Sequence, residues 1–96
     1  MELDKRIHEP VRLRIMAHLI ADGPSARFNE LKQALGLTQG NLASHIKVLE
    51  RAGFVAQASP ENDMYACHIQ LTQAGREAFV EYLGSLNEVL SKLSSN

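Results

Sequence analysis

The residues able to make or break bonds are few and scattered. Four histidines, His8, His18, His45 and His68, lie far apart in the 96 residues, and no pair has the spacing of zinc ligands. Histidines scattered in this way are expected on the surface or in hydrogen bonds. Cys67 is the single cysteine, so no internal disulfide forms. A redox-sensing thiol needs basic neighbours to lower its pKa, and the adjacent sequence supplies only His68. Cys67 is therefore read as a small apolar residue facing a core. The chain has no Gly-rich phosphate loop, no nucleophile elbow and no ordered pair of carboxylates. It is not expected to be an enzyme, and it requires no metal or cofactor.

The remaining chemistry is recognition by hydrogen bond and charge. Thr38, Gln39, Gly40, Asn41 and Ser44 fall within two helical turns, and Lys47 and Arg51 follow on the side of Gly40 and Ser44. A Gln or Asn amide sets a donor beside an acceptor, the complement of an adenine edge, and Gly40 would let backbone approach a phosphate or a groove floor. Thr38, Lys47 and Arg27 suit phosphate contacts, which position a domain without reading sequence. Asn29, His45 and Arg51 complete the candidate set as flanking polar residues. An ordinary helical hairpin with a solvated face would carry the same pattern, so the elements that position these residues decide the reading.

From Pro10 to Ala21, Val11, Ile15 and Leu19 recur at helical spacing with Met16 and Ile20 beside them, and Asp22-Gly23-Pro24 ends the helix. Leu3 and Ile7, four apart, predict a short helical turn before it. An extended piece around Arg27-Phe28 leads to Asn29, read as the N-cap of a helix that ends at Gly36. Thr38 caps a helix over about 38–52, with Leu37 and Leu42 stapling its entry. In that helix Leu42, Ile46 and Leu49 form one apolar stripe, opposite Gly40, Ser44, Lys47 and Arg51. Gly53 closes it, with Phe54 returning to Leu49 as in a Schellman cap.

Phe54–Ala58 and Tyr65–Leu71 read as the strands of a two-stranded hairpin across Ser59-Pro60-Glu61-Asn62-Asp63. Tyr65, Cys67, Ile69 and Leu71 share its core face. Thr72 then caps a long helix in which Phe79, Leu83, Leu86, Leu90 and Leu93 repeat at 4,3,4,3 spacing, with Tyr82 and Val89 widening the stripe.

This order of elements, together with particular stretches of sequence, resembles a known family. The stretches are His8-Glu9-Pro10-Val11-Arg12-Leu13-Arg14-Ile15, Phe28-Asn29-Glu30-Leu31-Lys32, Leu35-Gly36-Leu37-Thr38-Gln39-Gly40-Asn41-Leu42-Ala43-Ser44-His45-Ile46-Lys47-Val48-Leu49-Glu50 and Leu71-Thr72-Gln73-Ala74-Gly75-Arg76. They are similar to small single-domain winged-helix transcriptional regulators of the MarR and ArsR types. The resemblance implies an α+β, mainly helical fold, a winged helix-turn-helix with a three-helix core, a two-stranded wing and a long C-terminal dimerisation helix. Residues 1–96 would form one domain, with 72–94 as the dimerisation helix. It also implies a homodimer that sets two recognition helices into successive major grooves of double-stranded DNA, with the wings beside them.

The wing departs from the family pattern. Residues 54–70 contain no Arg or Lys, and Glu61 and Asp63 lie at the turn. Missing cations remove counterion release, so the expected affinity is modest and salt-sensitive. A second reading follows, in which the acidic wing serves a protein partner and DNA binding is weakened or lost. The formal net charge of −1 gives no global attraction to polyanions. An apolar content of 45% fits a folded domain, and no apolar run reaches the roughly 20 residues needed to cross a bilayer. With no signal-peptide pattern, a cytoplasmic protein without membrane contact is expected. The last helix is too apolar to stay uncovered: Leu3, Ile7, Phe79, Tyr82, Leu83, Leu86, Val89, Leu90 and Leu93 are the candidate dimer interface, part of the stripe packing on its own domain.

Overall fold

The computed structural model describes residues 2–58 and 67–94. Its elements run α1 (Pro10–Ala21), β1 (Ser25–Arg27), α2 (Phe28–Leu35), α3 (Gln39–Arg51), β2 (Val55–Ala58), β3 (His68–Leu71) and α4 (Gln73–Ser94). Local chemistry sets most of these boundaries. Pro10 occupies the first turn of α1, and the Glu9 carboxylate accepts the Arg12 N–H at 2.7 Å, satisfying an amide that has no partner inside the helix. At the other end of α3, Phe54 N–H donates to Leu49 O and Gly53 N–H to Glu50 O, both at 2.9 Å. This is the Schellman closure expected there, and Gly53 at φ 80° supplies the left-handed residue it needs.

The start of α2 differs from expectation. Arg27 is its N-cap, without a side-chain cap bond, and Asn29 lies inside the helix. Phe28 N–H donates to Cys67 O at 2.9 Å and the Phe28 ring is buried, so a contact distant in sequence sets this boundary. The same contact corrects the sheet, which has three strands, in antiparallel order β1-β3-β2. Ala26 pairs with Ile69 on one side of β3 and Gln57 with Ile69 on the other. The extended piece covers Ser25–Arg27 instead of Arg27-Phe28, because Ala26 enters the core and Phe28 already belongs to α2. Ser59-Pro60-Glu61-Asn62-Asp63 and Tyr65 lie outside the described residues. On β3 the expected alternation is present, with Cys67, Ile69 and Leu71 buried.

Helix α4 is pinned where it begins. The Thr72 hydroxyl accepts the Gly75 N–H at 2.9 Å and donates to Gly53 O at 2.6 Å, while Thr72 N–H donates to Phe54 O at 3.0 Å. Gly75 sits so close to this strand entry that a Cβ there would overlap the Phe54 carbonyl oxygen and lie 3.0 Å from the Leu71 Cδ1. The Leu-Thr-x-Ala-Gly-Arg stretch is therefore a docking joint between α4 and the end of α3.

One apolar cluster fills the interior, built from Ile15, Met16 and Leu19 of α1, Phe28 and Leu31 of α2, Leu42, Ile46 and Leu49 of α3, the sheet, and the first half of α4. This corrects part of the expected interface. Ile7, Phe79 and Tyr82 are buried in the protomer's own core, and Leu3 and Leu86 pack partly against it. Ile7 reaches the core through a single turn in which Asp4 O accepts the Ile7 and His8 amides at 3.1 and 2.7 Å. The Tyr82 hydroxyl is satisfied by His8 Nδ1 at 2.9 Å. Leu86 is the last residue of α4 among those packed against this core, and the molecule measures 54 × 25 × 21 Å.

Candidate nucleic-acid interface

The short link between α2 and α3 aims α3 outward. Gly36, at φ 66°, lets Leu37 N–H turn back to Lys32 O at 3.0 Å, and Thr38 then caps α3 by accepting the Asn41 N–H at 3.1 Å. Leu42, Ile46 and Leu49 are buried, which rotates Gly40, Ser44, Lys47 and Arg51 to solvent. Nothing lies within 4 Å of a Cβ placed on Gly40, so this end of α3 is open. Asn41 and Ser44 are exposed beside it, and the Ser44 hydroxyl donates to Asn41 O at 3.0 Å. The first two turns of α3 thus make a narrow ridge of small and amide-bearing residues, with Lys47 and Arg51 behind them.

A family model described as a winged helix DNA-binding domain matches residues 11–90. The chain belongs to the winged helix DNA-binding domain family. An uncharacterized protein of Methanocaldococcus jannaschii, MJ0432, is 39% identical over 80 residues, spanning 82% of this chain and 86% of that one. A solved structure described as a transcriptional regulator homologue from Pyrococcus horikoshii OT3 is 38% identical, with a TM-score of 0.83 over 92% of this chain and 87% of that one. A MarR-like transcriptional regulator from Thermotoga maritima shares the fold at 22% identity and a TM-score of 0.65, over 92% of this chain and 62% of that one.

Within this winged helix the expected contact residues divide. Gln39 is half-buried at the start of α3, and Asn29 is half-buried on α2. Arg27 is exposed and stands 3.9 Å from Glu30, a solvated pair worth so little that the guanidinium can turn to another anion. His45 does not share the outward ridge. It faces α1, where its Nδ1 lies 3.1 Å from the Arg12 guanidinium and 3.8 Å from Glu9 Oε1. The position one turn from Leu42 and Leu49 flanks the buried stripe, and that geometry turns residue 45 inward.

Sequence reasoning also missed the structural use of two cations. Arg12 donates to Arg6 O at 2.6 Å and Lys5 O at 3.2 Å, and Arg14 donates to Leu35 O at 2.8 Å, covering a carbonyl at the end of α2. The one available signal was position: Arg12 and Arg14 stand in an otherwise apolar amphipathic helix beside the elements they tie down.

The sheet side of the domain carries little reactivity. Burial pushes the Cys67 thiol up, with Glu50 adding to the shift, and its Sγ donates to Gln57 Oε1 at 3.4 Å. Gln57 in turn donates to Glu50 Oε1 at 3.1 Å, so this chain of contacts joins β2 and β3 to the end of α3. Among the described residues no group of three or more His, Cys, Asp or Glu side chains is placed to hold a metal ion, and no helix is long and apolar enough to cross a membrane.

Proposed function

We propose that this winged helix is a transcriptional regulator acting as a homodimer, with the first two turns of α3 read into the major groove of double-stranded DNA. One observation carries the reading: Gly40, Asn41 and Ser44 stand exposed on a ridge one helix wide, with nothing among the described residues within 4 Å of a Cβ placed on Gly40. Gln39 and Asn41 read base edges, Ser44 and Gly40 allow close approach, and Thr38, Arg27, Asn29, Lys47 and Arg51 contact phosphates. A cytoplasmic location follows from the target.

Dimerisation is supported by the uncovered face of α4. Val80, Leu83, Leu90 and Leu93 are 63%, 45%, 55% and 70% exposed, a concentration of large apolar side chains that a second copy would cover. Leu90 and Leu93 stand about three turns beyond Phe79 and Tyr82 on the same face, so one apolar stripe serves the core first and a partner afterwards.

Affinity is modest because α3 contributes only Lys47 and Arg51, offset by Glu50, and residues 54–70 add no cation. Selection from a pool of random duplexes at low salt tests the reading. A preferred sequence is expected, with binding that falls steeply as salt rises; recovery of random duplex alone overturns it. The missing wing cations also favour a second reading, a protein partner on the acidic wing. Glu61→Lys with Asp63→Lys separates the two, since stronger DNA binding puts the wing over phosphate. Unchanged affinity, with a protein captured after nuclease treatment, supports the partner.

A further inference from the structure

Helix α3 is held by more than its apolar stripe. The Arg12 guanidinium fans out from α1 to three acceptors: Arg6 O, Lys5 O and, at 3.1 Å, His45 Nδ1 on α3. Guanidinium has no acceptor, so this contact requires a bare lone pair on Nδ1 and hence a neutral imidazole whose proton is on Nε2. His45 sits in the middle of α3, one turn beyond Asn41, and Arg12 is itself fixed by its two carbonyls and by the Glu9 carboxylate on its amide. A rigid donor on α1 therefore meets the helix that carries the proposed ridge.

We infer that Arg12 is a positioning residue for α3, acting through the neutral imidazole of His45. The inference rests on the DNA reading proposed above and adds a condition under which that reading is accurate. Besides Arg12, the charged group against His45 among the described residues is Glu9, whose Oε1 lies 3.8 Å from Nδ1 while already accepting the Arg12 amide at 2.7 Å. Arg6 and Lys5 contribute carbonyls only; the Arg6 guanidinium is engaged with Asp4 and lies over the Phe54 ring. On α3 itself Lys47 and Glu50 face solvent. Removing the Arg12 guanidinium leaves Nδ1 without its donor and frees the imidazole to turn toward Glu9, the α1 cap, so the seat of α3 loosens while its apolar stripe stays buried.

Loss of the Arg12 charge also lowers the attraction to any duplex. The informative quantity is therefore selectivity, the affinity for the duplex recovered by selection divided by that for random duplex, in which the charge loss cancels. Selectivity of Arg12→Ala is expected to fall about tenfold, the scale of one hydrogen bond to a charged group. His45→Asn keeps an acceptor near the Nδ1 position and should hold its selectivity. His45→Ala should lose as much as Arg12→Ala, and the double variant should fall no further than either single one. Circular dichroism checks that all four variants remain folded. Additive losses in the double variant, or an Arg12→Ala that keeps wild-type selectivity, overturn the inference while leaving the DNA reading standing. A wild type with no selectivity overturns both.

Discussion

Helices α3 and α4 each present an exposed face, and the two are opposite in chemistry. On α3 the open face is Gly40, Asn41, Ser44, Lys47 and Arg51; on α4 it is Val80, Leu83, Leu90 and Leu93. The first has hydrogen-bonding groups and cations that water solvates well, so it can wait exposed for a polyanion. The second exposes apolar surface that water disfavours, which in the proposed reading a second copy covers. Two helices that each bury an apolar stripe on one side thus differ in what stands beyond the stripe.

The largest effect is expected from breaking the apolar face. Leu83→Glu with Leu90→Glu should convert a dimer to a monomer in sedimentation and weaken operator binding by about 10²-fold or more, because two linked half-sites become one. A dimer that survives both charges places the interface elsewhere. The two glycines of the same helix should respond in opposite senses. Gly75→Ala, which drives a methyl into the Phe54 carbonyl, is expected to destabilise folding by about 1–3 kcal/mol in urea titration, whereas Gly84→Ala, with nothing within 4 Å, should stabilise by about 0.5–1 kcal/mol.

Substitutions on the polar face sharpen the contrast. Gln39→Ala or Asn41→Ala should each reduce selectivity by about tenfold at particular base pairs. Lys47→Ala should instead weaken binding to all duplexes alike and lower the slope of log affinity against log salt by about 1. Equal behaviour of the amide and lysine variants would show that the ridge grips phosphate without reading bases.

The smallest effect concerns the N-terminal turn shared by both regions. The Arg6 guanidinium, by its side-chain hydrogen bond, holds the Asp4 carboxyl below the usual carboxylate range. Because the folded pKa is the lower one, this stabilisation is full above about pH 4 and is lost as pH falls through the folded value. Asp4→Asn should lower Tm by about 1–2 °C at neutral pH, and by nothing below the folded pKa, since the pair is solvent-exposed.

Much of this fold was legible because its determinants are local. Thr38 and Thr72 cap their helices with bonds spanning three residues, and Gly36 and Gly53 end helices because left-handed backbone suits them. Buried Leu42, Ile46 and Leu49 followed from period alone, and with them the outward turn of Gly40 and Ser44. The start of α2 was less legible, since Phe28 answers to Cys67, far along the chain, and not to the capping preference of Asn29.

The sequence by itself determined where α1, α3 and α4 begin and where α1, α2 and α3 end, which face of α3 is apolar, and that α4 carries more apolar surface than a solvated helix tolerates. Each of these depends on neighbours within a turn or two, where bond geometry leaves few choices. Only the tertiary structure decided that β1 joins the sheet, that Ile7, Phe79 and Tyr82 belong to the core while Leu90 and Leu93 run past it, and that His45 meets Arg12. Those outcomes depend on where separate elements come to lie against one another. Periodicity reports that a face is apolar or polar, but what covers it is settled by packing between distant segments.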